Sequence, residues 1–359
     1  MIGIKKFILG FRPLSTDRCV YVEKFMGEVC YILLYVDDMI LGTPNHKLMA
    51  CLKERINTKF PIKDQGPIYF WLNMYFIRDR KNRIIMIHQK SKIERLISDL
   101  NLENKFPVKL PADPNNKLTK QQCPETDAEK NAMSKIPYKS ITGRLLYLSI
   151  TARPDISPAV SQVAKYCENP KEAHWEAVIR IVQYLKGTID YRLKLGGAFP
   201  SVSVQAYADA DWAGDLDCRK SRTGYIVQLN DSVVMWSSKL QSSTALSSTE
   251  AEYLALSSVT TDILWLRNFL KEMGFEQTSP SIVFQDNKSC IDIASSAKQH
   301  SGVKHIDLRD YFVRDHVLNL KTITLQKIPT AEMVADLMTK QLPYPAFSKH
   351  RKSMELLAS

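Results

Sequence analysis

The sequence predicts an α/β (α+β) fold: a strand-rich first part, a helical middle, and a C-terminal mixed sheet with flanking helices. Three observations predict it. Short apolar runs rich in Val, Ile, Leu and Tyr fill Cys19 to Leu41. Apolar residues recur at helical spacing between Tyr138 and Gly187. From Ser201 onward the pattern changes to strands, one long helix, a strand and further helix, the order of an α/β layer with a mixed sheet.

Each element has its own signal. Val20 to Glu23 and Val29 to Tyr35 read as strands; Asp37 and Asp38 interrupt the second run before Met39 to Leu41 resumes it. Two acids between apolar strands are a poor choice for stability and so call for a reason. Lys47 to Lys59 is helical, with Leu48, Leu52 and Ile56 on one face. Ile68 to Arg78 and Arg83 to His88 form a hairpin across Asp79-Arg80-Lys81-Asn82. Ser91 to Leu100 is a short amphipathic helix, and the proline-bearing, aperiodic stretch from Pro107 to Lys135 is a linker.

Helices follow at Tyr138 to Ile150, Ile156 to Tyr166 (with Asp155 as its cap) and His174 to Lys186, closed by Gly187. In the last part, Val202 to Tyr207, Gly224 to Leu229 and Ser232 to Trp236 are strands. Ser248 to Met273 is the longest helix, Ser281 to Gln285 and Thr322 to Ile328 are strands, and Ala331 to Lys340 is the final helix. Trp236, Tyr253 and Trp265 read as core rather than as a base-stacking platform.

Composition bounds the function. With 359 residues, 45% hydrophobic and 24% charged, the chain can bury a core. A net charge of +11 and a pI near 9.2 favour a polyanionic partner such as nucleic acid. The seven cysteines, Cys19, Cys30, Cys51, Cys123, Cys167, Cys218 and Cys290, include no Cys-x-x-Cys pair, which argues for buried thiols in a reducing compartment. Met1 to Leu14 carries Lys5, Lys6 and Arg12 and no clean cleavage site, and no apolar run is long enough for a bilayer. The expected setting is intracellular, cytoplasmic or nuclear, not secreted and without a membrane. Lys349, Arg351 and Lys352 near the end read as a solvated tail.

The candidate chemistry lies in acids at or near element ends: Asp209, Glu252, Asp286 and Asp336. Four convergent carboxylates raise one another's pKa, and hard divalent cations resolve that repulsion. Magnesium or manganese, as a pair about 3.5–4 Å apart, would suit phosphodiester cleavage. The alternative is that Asp209 and Asp286 are turn residues. Ser247-x-x-Glu250 fits a capping box, so Glu250 is assigned to the helix end and Glu252 to the metal. Asp37 and Asp38 likewise stand between a hairpin turn and a metal site. His305 lacks a second His or Cys at ligand spacing, so a structural or nucleic-acid-contacting role is preferred over a ligand.

These residues resemble a family. Tyr35-Val36-Asp37-Asp38-Met39 is similar to the palm motif of reverse transcriptases. Tyr207-Ala208-Asp209-Ala210-Asp211-Trp212, Trp236-Ser237-Ser238-Lys239, Ser247-Ser248-Thr249-Glu250-Ala251-Glu252, Asp286-Asn287, Lys304-His305-Ile306-Asp307 and Ala335-Asp336-Leu337-Met338-Thr339-Lys340 resemble, in order, the ribonuclease H domain of copia-type LTR retrotransposon Pol polyproteins. Arg153-Pro154-Asp155 and Tyr184-Leu185-Lys186-Gly187 resemble the stretch that joins the two enzymes.

The resemblance implies a ribonuclease H-like mixed sheet over residues 200–345, a helical connection over 116–199, a reverse transcriptase palm and thumb remnant over 1–115, and a tail over 346–359. It implies that Asp209, Glu252, Asp286 and Asp336 bind two Mg2+ or Mn2+ ions and cut the RNA strand of an RNA–DNA hybrid. Asn287, His305, Ser248 and Lys239 would contact that substrate, and other retroelement Pol subunits are possible partners. Asp37 and Asp38 would be two of the polymerase's metal carboxylates. The third would lie on an earlier palm strand, so an N-terminally truncated, inactive polymerase is expected. Asn73 stands where the family usually has glycine, and Asp310 where an aromatic is expected. The competing expectation is a non-catalytic retroelement remnant or a host-adopted nucleic-acid-binding protein.

Overall fold

The structure is a computed structural model, and it describes residues 10–199, 201–296 and 307–358. They fall into two compact units, Met1–Tyr69 with Leu264–Thr278, and Phe70–Ile263 with Ser279–Ser359.

The first unit is built on a four-stranded antiparallel sheet in the order β1 (Arg12–Pro13), β2 (Val20–Phe25), β3 (Glu28–Tyr35) and β4 (Asp38–Gly42). Alternation along β3 turns Cys30, Ile32 and Leu34 inward, where they meet Tyr21, Leu52 and Ile56. The last two belong to α1 (His46–Asn57), whose Asn45 side chain caps it by accepting from Leu48 N at 2.9 Å. Within this unit Tyr31 Oη donates to Met273 O at 2.7 Å, and Ser15 N donates to Glu272 Oε2 at 2.6 Å.

The second unit carries two sheets and a helical layer. One sheet is antiparallel throughout, in the order Leu356–Ala358, Tyr191–Gly196, Ile84–His88, Met74–Asp79, Phe70–Trp71; along the chain these are β5 (Phe70–Trp71), β6 (Met74–Asp79), β7 (Ile84–His88), β8 (Tyr191–Gly196) and β14 (Leu356–Ala358). The helical layer comprises α2 (Lys90–Asp99), α3 (Asp127–Ser134), α4 (Tyr138–Thr151), α5 (Ser157–Ala164) and α6 (Glu172–Gly187).

The other sheet is mixed. β9 (Val204–Asp211), β10 (Arg222–Leu229) and β11 (Ser232–Leu240) form an antiparallel meander. β12 (Ser281–Gln285) runs parallel to β9, and β13 (Ile323–Lys327) parallel to β12. Its helices are α7 (Ser248–Glu272, which belongs to this unit as far as Ile263), α8 (Lys288–Ala294), α9 (Asp307–Arg314), α10 (Asp336–Thr339) and α11 (Tyr344–Ser353). The mixed sheet with flanking helices expected after Ser201 is present. Ile226 and Val233 of this sheet share one hydrophobic core with Leu145, Val160, Ile181 and Leu185 of the helical layer.

Several expectations are corrected. The run from Ile68 to Arg78 is two strands, broken at Leu72 and Asn73, whose φ values of 48° and 59° make a two-residue hairpin turn. The stretch from Pro107 to Lys135 is not all linker. Thr126 and Glu129 form a capping box that starts α3. Asp155 caps nothing: both its oxygens accept from Arg153, at 3.0 and 2.8 Å. The final helix from Ala331 shrinks to α10 because Met333 is extended.

In the C-terminal basic cluster Lys349 and Lys352 are exposed, but Arg351 is buried. The cluster lies in α11, where the Arg351 guanidinium is buried 4.5 Å over the Tyr191 ring. Cys30 and Cys290 are buried, but Cys19 and Cys218 are exposed. Trp265 is 40% exposed and so is not core. Among the described residues, no helix is long and apolar enough to cross a membrane.

Candidate metal centre

The centre starts with a strand of small residues. Ala206, Ala208 and Ala210 of β9 are buried. Ala210 packs with Ala245, Ala251 and Ala255, so α7 approaches β9 closely and carries Glu252 toward Asp209. Asp209 itself sits inside β9, buried, and is not a turn residue. β12 lies beside β9 in parallel register and delivers Asp286 from its end. One oxygen each of Asp209, Glu252 and Asp286 falls within a mutual 4.8 Å.

Three neighbours hold these carboxylates. Gln285 is fully buried; its Oε1 accepts from Asp286 N at 2.8 Å and Asn287 N at 3.1 Å, while its Nε2 donates to Glu252 Oε2 at 3.4 Å. Thr339 Oγ1 donates to Asp209 Oδ2. Lys340 Nζ donates to Asp209 Oδ1 at 3.2 Å and Asp336 Oδ1 at 2.6 Å. Asp336 therefore reaches the cluster through Lys340 and is not one of the three convergent oxygens.

Burial, then the charges of Asp209 and Asp286, pushes the Glu252 carboxyl up to about 9. Asp336 is pushed up to about 6 by burial and by Asp209, against the pull of Lys340. Burial alone would lower the Lys340 ammonium, but Asp209 and Asp336 outweigh it and leave it raised. Lys340 pulls the Glu252 carboxyl down, but not enough to offset burial and its two acidic neighbours. The all-oxygen donor set fits a hard divalent cation.

The other anticipated residues fall at different distances from this chemistry. Asn287 caps α8 by accepting from Cys290 N at 3.0 Å. Ser248 is exposed at the first residue of α7, and Lys239 is exposed on β11. His305 lies outside the described residues. Glu250 serves the helix end: it accepts from Leu246 N at 2.7 Å, and its own N donates to Ser247 Oγ at 3.1 Å. Asp310 is buried and paired with Arg314 at 3.0 Å.

Asp37 and Asp38 are exposed at the β3–β4 turn, and among the described residues no third acid or histidine makes a metal group with them. Val36 in that turn has φ 53°, a strained value for a β-branched residue. Sequence reasoning gave Gln285, Thr339 and Lys340 no part in the centre, although the last two stand in the Ala335–Lys340 motif. Lys340 carried a further signal, since it stands one helical turn beyond Asp336.

Fold and site together define an α/β protein with an acidic centre suited to a divalent cation. Residues 4–114 match the family of reverse transcriptases (RNA-dependent DNA polymerases). Over 333 residues, 92% of this chain, the sequence is 40% identical to the retrovirus-related Pol polyprotein from transposon TNT 1-94 of Nicotiana tabacum, covering 25% of that protein. The secreted RxLR effector protein 161 of Plasmopara viticola is 42% identical over 134 residues, 37% of this chain and 94% of the effector. The chain belongs to the Pol polyprotein family of copia-type retrotransposons. It spans about a quarter of the length of the Pol polyproteins it matches. Among solved structures, LC11-RNase H1 from compost aligns with 41% of this chain and 96% of its own, at 15% identity and a TM-score of 0.31.

Proposed function

We propose that this chain is a ribonuclease H that cuts the RNA strand of RNA–DNA hybrids, with two Mg2+ or Mn2+ ions, at Asp209, Glu252 and Asp286 together with Asp336. The observation that carries the reading is the convergence of three carboxylate oxygens within 4.8 Å, two of them from buried residues. Divalent ions bound there would offset the mutual repulsion of the carboxylates and supply Lewis acidity to a phosphodiester.

The chain's own residues hold the geometry. Gln285 fixes Glu252 and the turn that carries Asp286, and Thr339 orients Asp209. In the balanced reaction, water oxygen bonds to phosphorus, the P–O3′ bond breaks, and the 3′ oxygen takes a proton to leave as a hydroxyl. The hybrid is read through backbone and 2′-hydroxyls, which sequence-blind cutting requires. Asn287, Ser248, Lys239 and His305 remain the proposed substrate contacts. Other Pol subunits of the element are the proposed protein partners, in an intracellular setting. Asp37 and Asp38 remain the proposed carboxylates of an N-terminally truncated, inactive polymerase module, and the chemistry is proposed for the nuclease centre.

The test is cleavage of an end-labelled hybrid by the full chain in Mg2+ and then in chelator, with Asp209→Asn and Asp286→Asn beside it. Chelator-sensitive cutting of the RNA strand alone, lost in both variants while hybrid binding persists, is the expected result. Unchanged cutting by both variants overturns the assignment. The net charge of +11 favours a second reading, a binder without catalysis; salt-dependent hybrid binding by the wild type with no cutting would mark it.

A further inference from the structure

We infer that Lys340 is a built-in cation of the carboxylate centre. Its ammonium takes up the Asp336 side of the cluster, so the substrate-free site accepts a single divalent ion, at Asp209, Glu252 and Asp286. The inference rests on the nuclease reading above.

The geometry divides the four acids unevenly. Asp209, Glu252 and Asp286 bring one oxygen each within 4.8 Å, and Asp336 does not join them. Asp336 Oδ1 instead accepts from Lys340 Nζ at 2.6 Å, and the same nitrogen donates to Asp209 Oδ1 at 3.2 Å. Asp209 is thus shared between the open triad and the ammonium, as a bridging ligand would be shared between two ions. The Lys340 side chain is 36% exposed, Asp336 only 9% and Asp209 1%, so the lysine reaches from the edge of the cluster to acids that are themselves buried.

The placement is enforced. Lys340 follows Asp336 by four residues, so helical geometry sets the two on one face. Thr339, between them in sequence, is itself tied to Asp209. Charge completes the case. Four carboxylates against one ammonium and one divalent ion leave a single negative charge. A second ion would leave a single positive charge, which becomes favourable only when a phosphate arrives with its own negative charge. Lys340 therefore makes uptake of a second ion depend on the substrate.

The experiment is calorimetric titration of Mn2+ into the metal-free full chain without nucleic acid, for the wild type, Lys340→Met and Lys340→Arg, with Asp286→Asn to subtract ions bound elsewhere. The expected result is one site-specific ion in the wild type and in Lys340→Arg, and two in Lys340→Met. Lys340→Gln replaces Lys340→Met should the latter fail to fold by circular dichroism. One ion in the wild type and still one in the neutral variant overturns the inference and leaves the nuclease reading standing. Two ions in the wild type also overturn the inference alone. No Mn2+ that depends on Asp286 in the wild type overturns both.

Discussion

Gly224 lies directly across the β9–β10 ladder from Asp209, and a Cβ on it would stand 2.4 Å from Thr339 Cγ2 and 2.7 Å from Met338 Cβ. The missing side chain is what lets α10 settle on the sheet and bring Thr339 and Lys340 to Asp209. Gly224→Ala forces α10 away, because backbone-borne atoms stand in the path. Overpacking of this kind costs about 1–3 kcal/mol. The expected outcome is a lower melting temperature and hybrid cleavage reduced about tenfold or more. Cleavage at the wild-type rate would show that the α10 contact to Asp209 is not needed.

The metal-free protein should lose stability as pH rises. Glu252 has a folded value of about 9 against an ordinary 4.5, so it binds its proton more tightly when folded. The stability this contributes is fully present below about 4.5 and disappears as pH climbs toward 9. The slope contributed by one group is at most about 1.4 kcal/mol per pH unit. Melting curves in chelator between these limits should therefore fall with pH, and Glu252→Gln should flatten the fall. Added Mg2+ should stabilise the wild type more at high pH than at low. A metal-free melting temperature that is flat across the window refutes this.

Gln285→Leu tests how the triad is held. It removes an acceptor from two backbone N–H groups and a donor from Glu252. Stranding these part-buried donors costs at most about 1–3 kcal/mol. Loss of stability by denaturant titration, with weaker Mn2+ binding at the triad, is expected. Unaltered metal affinity would limit Gln285 to a structural part.

Arg153→Met probes the helical layer. Arg153 and Asp155 are both buried, and Asp155 Oδ2 also accepts from Tyr184 Oη at 2.5 Å. Removing the cation leaves a buried carboxylate, and breaking such a pair costs about 3–5 kcal/mol. The double change Arg153→Met with Asp155→Leu should recover much of that loss. Recovery would show that the cost lies in the orphaned charge rather than in lost packing.

How far the sequence discloses this structure varies with the range of the interaction. The strand Ser281–Gln285 and the start of α7 at Ser248 follow from alternation and from the Ser247–Glu250 cap, which are local. The place of Glu250 at the helix end was legible for the same reason. Lys340 was not, since a lysine closing a helix usually faces water, and only the return of α10 onto β9 turns it inward. Arg351 was misread likewise: its partners Tyr184 and Tyr191 are more than a hundred residues away in sequence. The break at Leu72 carried no glycine to announce it, and Asn73 takes the left-handed conformation in its place.

The shared core has a consequence for modularity. Ile226 and Val233, in the sheet that carries the acidic centre, are buried against α4, α5 and α6, and β14 closes a sheet whose other strands come from residues before 200. A fragment of residues 200–345 would bare that apolar face to water and lose α11 together with β14. The sheet that carries the acidic centre is thus one wall of a larger body rather than a detachable cassette. Recombination that exchanged this part between elements would have to carry the preceding helices with it.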